Sequence, residues 1–590
     1  MSILNDTTIQ RVLDSRLQFS KEHTLLAAQG SSYINSIQFP ASNVSDSSVV
    51  IQINNASDRV AVDSNLLLAM SFSITVTGTN TSATQPLAIP TMFGPSFLPI
   101  QKVISSHSLS INGTTASLQN TNLYVPTIIG AYEEKETLNG EWSMTPSMPD
   151  YTSDFLQLPL SATSTRSSLA SSFDQVPDQV PRAAFPGFKV VSNDVGATQA
   201  SFTLECVEPL IVSPLKYGKG CFDQPSLTFI NNMLYTSNLA NLNRVLSIAY
   251  PVDSITGLPT YTPLDGSGQI TITSVVVHVT RAQLLVMNFS LMRDVPIPRS
   301  IISSYNDVID YSTTSFSPLA PGQSVALQLQ NQAIGSVPQS MIIFVPATSD
   351  NYSQTSLPSA CTVPDSCLQI GFGPNNTLSP PISINFDNIQ QFQSYDPYTL
   401  YKICKKNGIQ MPYSEFVGMN QAPGSTGRGS VIKLDFGSDI VLNEGTCVGM
   451  SSKYNLGLTV NVYNQTQHTL QNVVLHCVLV YDGVSVISDN AIAVNHQASF
   501  TPADIARVPL NPHLKFRPSP KIFGGGSFWD KLKSVFTPLN KVLKDTQILS
   551  KVGALIPHKG VQAAAQFASQ HGYGYHRRPR GGMVAEEEFE

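Results

Sequence analysis

Short runs of β-branched and apolar residues, each closed by Asn, Asp, Ser, Gly or Pro, recur from residue 48 to residue 481 of this chain. The clearest runs are 49–53, 66–76, 201–207, 270–279, 324–329, 341–345, 456–463 and 473–481. Such side chains suit a pleated, half-buried surface, and the polar turn residues between them end each run. Helical periodicity is confined to two pieces, near 123–136 and 398–407. Many short strands must bury their apolar faces on one another, so the chain is read as all-β, built of sandwiches or barrels.

A long internal repeat divides it. Leu109-Ser110-Ile111-Asn112-Gly113 precedes a stretch bearing Tyr124, Pro126 and Tyr132, and Ile382-Ser383-Ile384-Asn385-Phe386 precedes Tyr395-Asp396-Pro397-Tyr398-Thr399-Leu400-Tyr401. In each, a strand leads through a polar loop into a short aromatic helix, and each half closes with long apolar strands near 270–287 and 456–487. The spacing far exceeds solenoid periods, which indicates two similar domains. The first half also carries a Ser-, Pro- and Thr-crowded segment, roughly 140–189, that reads as an exposed insertion.

Charged residues make up only 13% of the 590 residues, about half the ~25% usual in soluble domains. So uncharged a surface suits a protein that hides much of itself against other copies. A net charge of −6 argues against a general nucleic-acid binder. The first residues lack the apolar core of a signal peptide, and no stretch reaches the ~20 apolar residues of a membrane span. Seven scattered cysteines are expected to be reduced thiols in a chain made in the cytosol, and the Asn-x-Ser/Thr triplets to be chance.

Chemistry is sparse. No Gly-x-Ser-x-Gly elbow, paired metal-binding histidines or Walker motif is present, so no catalytic, cofactor or metal residues are assigned. His278 and His476 fall inside apolar strands and are expected to be satisfied core or interface histidines. The glycine-rich run 424–430 reads as a surface turn.

The character of the chain changes at Ile522-Phe523-Gly524-Gly525-Gly526. Beyond it Phe528, Leu532, Val535, Phe536, Leu539, Val542 and Leu543 trace one helical face, with Lys531, Lys533, Lys541 and Lys544 on the others. Pro538 divides or kinks that helix. A basic amphipathic helix suits a membrane interface or the inner face of an assembly. Arg577, Arg578 and Arg580, interleaved with aromatics, suit nucleic-acid phosphates, although Glu586-Glu587-Glu588 opposes their charge.

Taken together these motifs resemble the double jelly-roll major capsid proteins of virophages and polinton-like DNA viruses. The resemblance is carried by Ser110–Gly113 entering the Tyr-bearing helix and by Gly429–Phe436 followed by Tyr454-Asn455-Leu456 and Val480-Tyr481-Asp482-Gly483. It is carried also by the tail, where Ile522-Phe523-Gly524-Gly525-Gly526 looks like the Gly-Gly sites cut by adenovirus-type cysteine proteases. The resemblance implies two tandem eight-stranded jelly rolls, three chains in a pseudo-hexameric capsomer, and an icosahedral virion shell. The implied division is an N-terminal arm 1–45, a first roll 46–298 with inserted loops, a second roll 299–510, a linker 511–526 and a basic tail 527–590. Implied partners are further copies of the chain, penton and minor capsid proteins, the viral cysteine protease, and genomic DNA or a membrane through the tail. The competing classes are a non-viral surface or carbohydrate-binding β-sandwich and a hydrolase on a β scaffold. The first should carry an export signal and the second a catalytic constellation.

Overall fold

The computed structural model describes residues 34–499 and Thr501, apart from internal stretches of which the longest are 133–143, 148–181, 213–228, 349–365, 371–381 and 418–428. Sixteen strands carry the fold. The first eight are β1 (Ile34–Pro40), β2 (Ser48–Asn54), β3 (Leu67–Asn80), β4 (Ile104–Ile111), β5 (Thr114–Gln119), β6 (Gln199–Pro209), β7 (Asn232–Leu239) and β8 (Ile270–Ser290). They form two antiparallel sheets in the orders β1-β8-β3-β6 and β2-β7-β4-β5. The second eight are β9 (Ser300–Ser315), β10 (Ser324–Ser336), β11 (Ser340–Phe344), β12 (Ile382–Phe386), β13 (Ile389–Ser394), β14 (Val431–Asp435), β15 (Ser451–Tyr463) and β16 (Val473–Ser488). Their orders are β9-β16-β11-β14 and β10-β15-β12-β13, which is the first pattern with eight added to every number. Each set is a jelly roll.

Patterning explains the layers. In β3, Leu68, Met70, Phe72, Ile74 and Val76 alternate inward between half-buried neighbours, the period-two signature of a sheet with one dry face. Phe93, Phe188 and Phe202 fill the space between the sheets, with Phe188 stacked on Phe202 at 5.2 Å. Phe188 opens a short outer strand, Phe188–Ser192, that pairs with β6. The ends of the segment 140–189 are therefore inside the roll: Thr145 and Arg182 are also buried. Likewise Ile34–Pro40, within the stretch read as an arm, pairs along β8 from Ile34↔Phe289 to Pro40↔Gln283.

The repeated motif is a hairpin followed by a helix; the segment read as a polar loop is itself a strand. Asn112 and Gly113, at φ 49° and 87°, make the two-residue turn between β4 and β5. The Asn112 side chain donates to Phe229 O at 2.7 Å and accepts the N–H groups of Asn231 and Asn232. In the second roll Asp387 takes the same left-handed region between β12 and β13. Two helices follow, α1 (Thr121–Tyr132) and α2 (Pro397–Lys406). Asp396 caps α2 by accepting the Tyr398 and Thr399 N–H groups, and Pro397 supplies a preset first turn.

Residues Ser20–Ser499 form one compact unit that holds both rolls. Two contacts fix their relative sense. Gln410 N, beyond α2, donates to Ala131 O in α1 at 2.9 Å. At the opposite end, the Thr114 hydroxyl at the β4–β5 hairpin donates to Ala493 O. Ala493 begins a short strand that pairs with the end of β16. The rolls thus stand side by side, both with the same end up.

Candidate assembly interface

The most worked surface of the chain is this junction of the two rolls. Ordinary sheet strands alternate, yet β11 and β14 bury almost every residue. One face of their sheet packs on β10-β15-β12-β13, and the other is covered by the first roll. On that second face the register places Lys433 opposite Ile342, and Ile342 and Asp310 opposite Val478. His476 and Phe344, opposite each other two residues along, share it.

Polar groups on this face are paired rather than absent. His476 Nδ1 lies 2.9 Å from Asp310 Oδ2, with both side chains under 5% exposed, and the Phe344 ring stacks on the imidazole at 5.2 Å. The Lys433 ammonium sits 5.1 Å from the centre of the Tyr132 ring, a cation–π contact between the rolls. Burial, with Asp310 nearby, pushes the Tyr124 hydroxyl far above its usual range, and burial with Cys404 and Asp435 does the same to Tyr132. Below Lys433, Asn407 Nδ2 bridges Lys433 O at 3.0 Å and Asp439 Oδ2 at 2.6 Å, while Lys406 pairs with Asp439 at 3.3 Å. Burial pushes the Cys404 thiol up to about 12, so it packs as an apolar group. The arrangement holds the two rolls in fixed register.

Other residues singled out from the sequence fall elsewhere. Ile522, Phe523, Gly524, Gly525 and Gly526, the helical face from Phe528 to Leu543, and Arg577, Arg578 and Arg580 lie outside the described residues. His476 is buried as expected, whereas His278 points outward, its side chain 60% exposed and bonded to Asp46 at 2.7 Å. Gly429 and Ser430 are not a surface turn. Ser430 is fully buried, donating to Phe416 O and accepting Ile370 N–H, and a Cβ on Gly429 would strike Cys367 O. Cys206, Cys404 and Cys477 are free and buried, and Cys367 is buried. Among the described residues no three His, Cys, Asp or Glu side chains gather as a metal site, and no helix is long and apolar enough to cross a membrane. Asp310 and Lys433 went unnoticed in the sequence. For Lys433 the signal was a charge inside an otherwise apolar run, Val431-Ile432-Lys433-Leu434; Asp310, between Asp307 and Ser312, carried no such mark.

Two rolls of one topology, joined through a dry sheet face, define a double jelly-roll protein of the kind that builds viral capsids. The sequence profile of the Sputnik virophage major capsid protein 1st domain matches residues 6–289, and that of the major capsid protein V20 C-terminal domain matches residues 309–483. The putative capsid protein V20 of Sputnik virophage is 24% identical over 95% of this chain and 93% of its own length. The cryo-EM structure of the Sputnik virophage aligns with a TM-score of 0.67 at 21% identity, covering 86% of this chain and 94% of that one. The mavirus major capsid protein crystal structure gives 0.58 at 16% identity, covering 82% and 93%. The chain belongs to the virophage double jelly-roll major capsid proteins: it is a structural, non-enzymatic protein of the virion.

Proposed function

We propose that three copies of this chain close into a ring of six rolls, that such rings tile an icosahedral shell, and that a cysteine protease then trims the tail after Gly525. The observation that carries the ring is the junction itself. Two like rolls stand side by side in one sense, joined by the hairpin-and-helix side of one against a sheet face of the next. A head-to-tail contact between like units propagates and, when its rotation closes, makes a ring. Electron microscopy of the purified chain tests this: three-chain particles or shells are expected, and a monomer at every concentration overturns it.

The candidate site Ile522-Phe523-Gly524-Gly525-Gly526 follows Pro518 and Pro520, residue types that disfavour regular structure. Until cut, the tail's apolar face docks on the inner side of the shell, leaving Lys and Arg toward genomic DNA or a membrane. The vertices call for penton and minor capsid proteins as further partners. Intact mass measurement on mature particles should find a chain ending at Gly525; a full-length chain alone refutes the cut.

A further inference from the structure

A carboxyl group is sealed inside the first roll at a point where three distant segments meet. Glu208, the penultimate residue of β6, is fully buried. Among the described residues its partners are three hydrogen-bond donors, Ile100 N and Gln101 N at 2.9 Å and the Thr145 hydroxyl at 3.0 Å. Two belong to a short helix, Pro99–Val103, and the third to the stretch Met144–Ser147. Backbone bonds run beside the carboxyl: Leu98 N donates to Pro146 O at 3.3 Å and Val207 N to Met144 O at 3.0 Å. Gln101 Nε2 donates to Pro209 O at 2.9 Å, while Gln101 Oε1 is buried and has no partner among the described residues.

The site sets two demands against each other. Ionised, Glu208 satisfies its three donors but holds a charge away from water without a cation beside it, which is costly. Protonated, it is neutral and its proton needs an acceptor. The Thr145 hydroxyl can turn to accept it, and Gln101 Oε1 is a second buried acceptor in the same knot. Burial outweighs the hydrogen bonds and pushes the carboxyl up to about 7. Among the described residues no neighbour supplies a countercharge. Lys102 in the short helix and Arg244 in the turn Leu242–Val245 packed on it are buried, and neither pairs with Glu208. On β6 itself, burial pushes the Cys206 thiol well above its usual range, and Glu205 pairs instead with Lys189 at 3.7 Å. His107 in β4 is lowered by burial to about 3, and burial raises the Tyr124 and Tyr132 hydroxyls of α1.

The short helix packs on α1, whose Tyr132 ring meets Lys433 across the junction of the rolls. Whatever fastens Pro99–Val103 therefore also seats α1. We propose that Glu208 is a proton-operated latch that fastens Pro99–Val103 and Met144–Ser147 to the end of β6 when protonated and lets both open locally when it loses its proton. The closed latch holds the proton more tightly than the opened, hydrated one, so acid closes it and rising pH loosens it. Its opening frees the seat of α1 while the sheets stay closed.

Hydrogen exchange of the full chain between pH 5 and pH 8, corrected for the intrinsic rate of each amide and read by mass spectrometry, tests this. Opening of the peptides covering 98–103 and 144–147 should rise on the order of 100-fold across that range. The amides of β3 and β8 should keep their protection. In Glu208→Gln the opening should no longer depend on pH. Thr145→Val removes a donor that favours the charged form, so its curve should be displaced to higher pH; this variant decides the matter where Glu208→Gln does not fold. An opening in the parent that does not change with pH, or the same rise in folded Glu208→Gln, overturns the latch. A rise shared equally by β3 and β8 overturns it too, because the proton would then act on the whole roll.

Discussion

Two buried titratable side chains in the first roll oppose each other with pH. Glu208 is fully buried; its carboxylate accepts the N–H groups of Ile100 and Gln101 at 2.9 Å and the Thr145 hydroxyl at 3.0 Å. Burial pushes its pKa up to about 7 from 4.5, against the pull of those hydrogen bonds. The folded protein therefore holds a proton that the unfolded chain has lost. That contribution is fully present below pH 4.5 and is gone once pH rises through about 7. His107 works the other way, since burial lowers it to about 3. The unfolded chain takes up that proton below 6.5, so stability is lost as pH falls from there. Glu208→Gln removes the first effect and leaves the second. Between pH 8 and pH 5 the variant's melting temperature should fall more steeply than the parent's, by a difference on the order of 3 kcal/mol in unfolding free energy. Parallel curves in a thermal-melt series would refute the assignment.

At the scale of elements, α1 serves its own roll and the neighbouring one. Tyr132, its last residue, is fully buried, supports Lys433 through its ring, and among the described residues has no hydrogen-bond partner for its hydroxyl. A buried hydroxyl without a partner lowers stability, whereas the ring contributes area and a cation–π contact. Tyr132→Phe is therefore expected to leave unfolding free energy unchanged or raise it by about 1 kcal/mol. Tyr132→Ala should lower it by roughly 3–5 kcal/mol through the cavity it leaves. Denaturant titration of the two variants checks both, and a Phe variant as damaged as the Ala variant would show that the hydroxyl is used.

For the molecule as a whole, the two rolls share buried surface. The apolar cluster of the first roll reaches Ile487 in β16 and Ala493 beyond it, and the β9-β16-β11-β14 sheet is dry on the side that the first roll covers. Unfolding the first roll would bare the Phe344, Ile342 and Val478 face of the second, so the two should melt together. Differential scanning calorimetry should give one transition for the parent and two for a Tyr124→Ala, Tyr132→Ala double variant, whose junction is hollowed. Two transitions in the parent would mean that the junction is weaker than its burial implies.

Alternating runs such as 66–76 and 456–463 were legible as strands because a period of two leaves a direct trace in the residues. The helix at 397–406 was legible near 398–407 from its helical periodicity, and the structure adds that Asp396 and Pro397 fix where it starts. The repeated strand and Tyr-bearing helix, and with them the division into two similar domains, could be read from the sequence, whereas the second strand of each hairpin reads there as a polar loop. Local patterning cannot say what lies across a sheet. Tertiary structure decided that the run 341–345 is continuous because both its faces are covered, and that Lys433 and Asp310 sit in a joint rather than in water. It also separated His278 from His476, which stand in nearly identical local sequence. Burial depends on what the rest of the chain brings to each face, and only the assembled fold determines that.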